Sequence, residues 1–319
     1  MKKLEISYKL WMVFSIFLIT IWLLIVYLVN LDYKNRNESL KESEIKSFDL
    51  KTNATLDSFQ SFTDSMYNLI INREEIVKAI SEANSSSNYR KKELQNYLYM
   101  NLYTVYDELI KNYTSQFQFY LADGTSFFKF NKNVKNQYID IEVVGTKQAI
   151  RGFSQESEMG IKFVYPLYYK GKYIGAVKFT IPIFFFFLTM SNLYKDSSFY
   201  FILNREILEG VNNSSQFEPS LFSEDYMSNT EMNKISIKNR NNIQKIKEYY
   251  IKNEREIKIG LNSFSKFSLI AKGKVSGQYY ITTFYPITGI NKMNIDYFVE
   301  NVSNAHIKDI YKKQYLIFI

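Results

Sequence analysis

Phe117-Gln-Phe-Tyr-Leu-Ala-Asp-Gly-Thr-Ser-Phe-Phe-Lys-Phe130 is the stretch whose reading decides the fold. Phe117 to Leu121 is aromatic and strand-forming, Asp123-Gly124 is a turn dipeptide, and Ser126 to Phe130 returns as a second strand. Before this stretch apolar residues recur at steps of three and four; here the period changes. The chain passes from helices to an antiparallel meander, an α+β arrangement.

Downstream, Ile161 to Tyr168, the turn residues Lys170-Gly171-Lys172, and Tyr173 to Ile181 make a second hairpin. A similar ending recurs: Ser265 to Ile270, a turn around Gly273 to Gly277, Gln278 to Tyr285, and Ile295 to Val302 read as three strands. Tyr165-Pro166 in the first set matches Tyr285-Pro286 in the second, each expected to end a strand. This is the pattern of a diverged internal duplication, two related sheet modules with a boundary near Asp196.

Upstream, Leu56, Phe59, Phe62, Met66 and Leu69 mark one face of a helix. Asn72 with Glu75 reads as the capping pair of a second helix carrying Ile76, Val77 and Ile80. Ser85 to Asn88 reads as a loop, and Leu94, Leu98, Leu102, Val105 and Leu109 as the seam of a third helix. Phe184 to Phe187 is expected to start a helix packed between the modules. Leu10 to Val29 contains no charged residue. At about 1.5 Å per residue it covers roughly 30 Å, the hydrocarbon thickness of a bilayer. The following Asn30-Leu-Asp-Tyr33 is no cleavage site, so this helix is expected to be retained. Lys2, Lys3 and Lys9 place the N-terminus in the cytoplasm and the rest of the chain outside a bacterial inner membrane. Lys312 and Lys313 precede Tyr315-Leu-Ile-Phe-Ile319, which reads as the first turns of a second membrane helix. The expected organisation is 1–9 cytoplasmic, 10–30 transmembrane, 31–71 a long helix, 72–195 a membrane-distal module, 196–302 a membrane-proximal module, and 303–319 an exit helix.

Composition narrows the function. The net charge of +8 is spread along the whole chain without an Arg-rich segment, which argues against nucleic acid. The absence of cysteine excludes disulfides, thiolate metal sites and a cysteine nucleophile. The one histidine, His306, has only Asn304, Ala305 and Ile307 beside it, poor company for a catalytic triad or a metal site. Asp123-Gly124 lacks the repeated carboxylates of a calcium loop, and Glu156 with Glu158 has no nucleophile motif nearby. No enzymatic activity, metal or cofactor is expected.

Phe117 to Phe127, Gly152-Phe153, Gly160-Ile-Lys-Phe-Val-Tyr-Pro-Leu167 and Gly171-Lys-Tyr-Ile-Gly175 together resemble the double Cache sensor domains of bacterial receptors. The resemblance covers roughly Leu31 to Ile319 and is most specific from Phe117 to Phe179. It implies two PAS-like sheets stacked on one long N-terminal helix, the whole lying between two transmembrane helices. Such domains feed histidine kinase, diguanylate cyclase or chemoreceptor outputs, whose motifs do not occur here. Where the family's first hairpin often carries histidines this chain has Tyr120 and Asn131. Lys129 and Lys162 stand where it carries arginines, and Lys178 where an acid is common.

In such a module a ligand lies between the curved sheet and the segments crossing its face. Alternation gives Phe127, Lys129 and Asn131 one face of their strand, opposite Phe128 and Phe130. An ammonium, an amide and surrounding rings suit a small anion such as a carboxylate. Arg151, in an expected loop, is placed to close over it. Tyr120, Lys162, Tyr165 and Lys178 complete the candidate set, although alternation within one strand does not relate its faces to those of the next. The expected function is ligand sensing by a homodimeric transmembrane receptor that passes its signal to a cytoplasmic output domain. The alternative is a membrane-anchored binding or scaffold protein acting on a partner receptor.

Overall fold

In a computed structural model of the chain, the described residues are 2–111, 114, 116–130, 147–154, 159–208, 217–230, 249–251, 253–272, 279–290 and 294–303. Helix α1 (Lys2–Met66) runs unbroken and widens into a π-helical turn at Tyr67–Ile71. Its apolar window near the N-terminus lies wholly outside the packed core and is long and apolar enough to cross a membrane.

Further along, α1 lies on both sheets. Its buried positions are Phe48, Thr52, Thr55, Phe59, Thr63 and Met66, again steps of three and four, and Ile70 and Ile71 of the π-helical turn continue the buried face. The expected stripe is therefore corrected. Phe59 and Met66 belong to the seam, Leu56 and Phe62 flank it half-buried, and Leu69 is 68% exposed. Threonines fill the seam because their hydroxyls bond back within the helix, Thr55 to the Lys51 carbonyl (2.8 Å) and Thr63 to that of Phe59 (3.1 Å), so their methyl groups can pack.

Helix α2 (Glu74–Ala83) buries Ile76, Val77 and Ile80, but Asn72 does not cap it. Asn72 closes the π-helical turn, and extended Arg73 leads into a first turn whose Glu74 and Glu75 complement the helix dipole. Helix α3 (Asn88–Val105) starts at Ser87, whose hydroxyl accepts from the Arg90 amide, and buries Leu94, Leu98 and Leu102 as the periodicity predicts. The Leu109 side chain lies outside the described residues.

The first sheet contains β1 (Gln116–Leu121), β2 (Ser126–Lys129), β3 (Ile150–Ser154), β4 (Gly160–Tyr169) and β5 (Lys172–Pro182), all antiparallel, in the order β2-β1-β5-β4-β3. The segment read as a loop at Arg151 is thus an edge strand. Lys170 and Gly171 (φ +48° and +76°) form a two-residue turn between paired Tyr169 and Lys172, the turn geometry that suits the sheet's twist.

Helix α4 (Ile183–Leu193) leads to the second sheet: β6 (Ser197–Asn204), β7 (Phe217–Pro219), β8 (Tyr226–Asn229), β9 (Phe267–Lys272), β10 (Tyr279–Thr288) and β11 (Asn294–Ser303). Their order is β7-β8-β6-β11-β10-β9. Setting β7 aside leaves the order of the first sheet, with β10 in the place of β4 and β11 in the place of β5. The Tyr-Pro steps fall inside these strands, not at their ends as expected. The prolines are tolerated because β3 pairs with β4 only up to Val164 and β9 with β10 only up to Phe284. No neighbouring strand requires the missing N–H.

As expected, the phenylalanines of α4 join the sheets: Phe186 and Phe187 lie 5.3 and 4.8 Å from Phe298 of β11, and Phe153 of β3 lies 5.0 Å from the same ring. Residues 304–319, with the expected exit helix and His306, lie outside the described residues, as do Glu156 and Glu158.

Candidate functional site

Alternation divides the first sheet into two unlike faces. Phe117, Phe119 and Leu121 of β1, Phe163, Tyr165 and Leu167 of β4, and Val177, Phe179 and Ile181 of β5 share one hydrophobic core with the buried residues of α1, α2 and α3. The opposite face carries Gln118 and Tyr120, Lys162 and Val164, and Ala176, Lys178 and Thr180.

Register shows which of these meet. Gln118 stands opposite Lys129 on one side and opposite Lys178 on the other. Lys178 in turn faces Val164, and Thr180 faces Lys162. Lys129, Gln118 and Lys178 therefore form a row across three strands, with Lys162 diagonal to Lys178 in the next row. Lys162 and Lys178 are only 2% and 3% exposed and Tyr120 is fully buried. Burying two ammonium groups on one face is costly unless something polar or anionic meets them. The Lys178 Nζ lies 5.4 Å from the centre of the Tyr120 ring, and Gln118 Nε2 donates to Ser126 Oγ at 2.7 Å.

Gly175 lets β5 approach β1 beneath this face. Its φ is +144°, and a Cβ there would sit 2.0 Å from the Tyr120 carbonyl oxygen. No other residue fits.

Of the seven candidates, Tyr120, Lys129, Lys162 and Lys178 are brought to one face. Arg151, expected in a loop closing over the site, and Tyr165, whose face the sequence left open, lie on the other face. Arg151 pairs with Phe163 and so points to the helix side, where its Nη1 lies 3.0 Å from Asp57 Oδ1 and also donates to Gln60. Tyr165 stacks on Tyr67 at 4.8 Å, donates to Asp64 at 2.8 Å and lies 2.7 Å from the Thr63 hydroxyl. Burial, and then the Asp64 carboxylate, push the Tyr165 hydroxyl well above the usual tyrosine range. Both residues fasten the sheet to α1. Asn131 lies outside the described residues. Phe127 joins the main core, beside a bulge between Phe119 and Tyr120. Sequence reasoning missed Gln118 and Thr180. Their alternation with phenylalanines was visible, but their places beside the lysines emerge only from register.

Among the described residues the second sheet shows no such face. Matching Tyr285 to Tyr165 and Phe298 to Val177 puts Thr282 in the place of Lys162 and Val299 in that of Lys178. The surroundings are filled by Tyr200, Phe222, Tyr250, Tyr280, Phe284 and Tyr297, with Tyr250 and Thr282 sharing a hydrogen bond of 2.7 Å. Helix α5 (Glu254–Asn262) adds Ile257 and Leu261 to this cluster.

Similar solved structures include the V. cholerae histidine kinase DctB sensor domain (10% identity, 82% of this chain and 97% of that one, TM-score 0.41). A domain of a sensory box/GGDEF family protein from Vibrio parahaemolyticus is also similar (11%, 84% and 97%, TM-score 0.41). So is the ligand-binding domain of the Campylobacter jejuni chemoreceptor Tlp3 in complex with L-norvaline (12%, 85% and 94%, TM-score 0.41). No curated protein matches the sequence. The model of one family matches residues 53–270, well over half of the chain, and the chain belongs to that family: the double Cache group described as the double sensory domain of two-component sensor kinases.

Proposed function

We propose that this sensor chain binds a small anion, such as a carboxylate, on the lysine-bearing face of its first sheet. The observation that carries the reading is the pair of buried lysines, Lys162 and Lys178, on one face with Gln118, Tyr120 and Thr180. Ammonium groups supply the charge, the amide and hydroxyls orient the ligand, and low local dielectric strengthens each contact.

In this reading α1 anchors the chain with its N-terminus in the cytoplasm of a bacterial cell, and the sensing part stands outside the inner membrane. Residues 72–195 form the membrane-distal, ligand-binding module and 196–302 the membrane-proximal one. Closure of the first sheet around the anion shifts the second, and the change passes on to a cytoplasmic output domain. The chain itself performs no catalysis. It works as a homodimer in contact through α1, which a cysteine introduced at exposed Leu69 would report by crosslinking in a chain with no other cysteine.

The test is calorimetric titration of small carboxylates into the wild type and into Lys162→Gln with Lys178→Gln. Losing one charge-assisted hydrogen bond costs about 1.5–3 kcal/mol, so binding should fall tenfold or more. Unchanged affinity in the double variant would remove the proposed site.

A further inference from the structure

A groove of about 580 Å³ runs between α3 and the edge strand β2, lined by Gln95, Asn96, Tyr99, Ser126, Lys129 and Phe130 among others. It is large enough for a small-molecule ligand. Its chemistry is mostly polar, two amides, two hydroxyls and an ammonium, with the aromatic faces of Tyr99 and Phe130 lying 5.6 Å apart at one wall. Gln95 Nε2 donates to the Phe127 carbonyl at 2.5 Å, so α3 holds the strand edge while leaving the groove beside it.

Two lining residues tie this groove to the buried lysines. Ser126 accepts from Gln118 at 2.7 Å, and Lys129 stands directly opposite Gln118, which stands directly opposite Lys178. Two strand spacings, about 9.5 Å, separate Lys129 from Lys178 along this row. Lys129 is half-buried whereas Lys162 and Lys178 are almost wholly buried. The row thus runs from an accessible cation, across an amide, to an inaccessible one.

We infer that this groove is the port through which an anion reaches Lys178 and Lys162, and that Lys129 steers it there. The inference rests on the anion-site reading above and adds the route. A cation at the mouth of a polar groove raises the encounter rate of an anion, and salt screens that effect. Lys129 accordingly governs how fast an anion arrives, while Lys162 and Lys178 govern how firmly it is held.

The experiment uses the full chain in detergent micelles and glyoxylate, a small anionic aldehyde, with cyanoborohydride. Imine formation and reduction mark each lysine the anion reaches, and peptide mass spectrometry follows Lys162 and Lys178, with Lys92 on α3 as a surface control. In Lys129→Gln, labelling of both buried lysines should slow several-fold at low salt, and the difference should vanish at high salt. Ser126→Trp, which fills the groove, should slow it at either salt. Labelling of Lys92 should not change. Equal rates at Lys162 and Lys178 in wild type and both variants would overturn the port, as would their failure to label while Lys92 does. The anion-site reading fails separately, if labelling proceeds but acetate in excess protects neither buried lysine.

Discussion

The Tyr285 hydroxyl donates to Asp49 of the long helix at 2.8 Å, and Tyr165 makes the same bond, at the same length, to Asp64. The two tyrosines hold equivalent places before Pro286 and Pro166 in corresponding strands, and their partners lie fifteen residues apart on α1, about 22 Å along its axis. The duplication therefore extends to how each sheet is fastened. Lys266 adds a second bond to Asp49 at 3.0 Å, and the hydrogen bonds from Lys266 and Tyr285 outweigh desolvation to hold Asp49 below the usual carboxylate range. Beside it, Lys51 meets the wholly buried Glu300 of β11 at 2.6 Å. The helix is thus bonded to β3 and β4 of one sheet, and to β10, β11 and Lys266, just before β9, of the other.

Removing either hydroxyl should weaken the corresponding attachment. Tyr165→Phe and Tyr285→Phe are each expected to destabilise the chain by about 1.5–3 kcal/mol, the worth of a hydrogen bond to a charged group. Because the sites are far apart, the double variant should show the sum in denaturant unfolding. A double variant costing no more than one single would mean the two attachments do not act independently.

Arg151 and Lys178 should behave oppositely. The Arg151–Asp57 pair is about half exposed, so Arg151→Ala should cost no more than about 1 kcal/mol of stability and leave anion affinity unchanged. Lys178→Ala should abolish or sharply weaken anion binding. Isothermal titration of the two variants separates the helix-side cation from the ligand-side cation.

Asp296 gives stability a distinct pH dependence. It is 3% exposed, and its Oδ2 accepts from the Asn204 amide at 2.8 Å. Burial pushes its carboxyl up to about 8, against the pull of that bond. The folded chain therefore keeps a proton that the unfolded chain releases. This contribution is whole below about pH 4 and is lost as pH rises through about 8. Asp296→Asn retains a carbonyl acceptor and should be more stable than wild type at pH 8 by more than about 1.4 kcal/mol, the worth of one pKa unit. At pH 4 the two should be alike. Glu300, raised by burial despite Lys51, adds a slope of the same sign that persists in the variant. Denaturant midpoints at pH 4, 6 and 8 measure both.

Gly175→Ala should be among the most damaging single changes in the first sheet. The new methyl would press on the Tyr120 carbonyl at 2.0 Å and force an alanine to φ +144°. A loss above about 3 kcal/mol, with weakened anion binding, is expected from strain of this kind. Circular dichroism melting and titration of the same sample read both effects.

Much of this architecture was legible in the sequence. Period-two aromatics around Asp123-Gly124 and Lys170-Gly171 marked the hairpins, and the repeated Tyr-Pro marked the duplication. The buried threonines of α1 hid the true helix seam, because Thr52, Thr55 and Thr63 read as polar, while Thr55 and Thr63 satisfy their hydroxyls on carbonyls of their own helix. The strand β3 was hidden by its shortness and by the charge of Arg151. The arrangement of the candidate site was only half legible. Lysines at Lys129, Lys162 and Lys178 announced themselves, but alternation fixes sides within a strand and not between strands. Only the pairing of Gln118 with Lys178, and of Thr180 with Lys162, unites them and sends Arg151 and Tyr165 to the helix.

Thermal unfolding of the full chain in detergent, against panels of small carboxylates, amino acids, amines and purines, tests the central claim most directly. A ligand at 100 times its dissociation constant should add about 2.7 kcal/mol and visibly raise the midpoint. The predicted result is a rise with one or more carboxylates that disappears in Lys162→Gln with Lys178→Gln. A rise with amines alone, or a carboxylate rise that survives in the double variant, would contradict it.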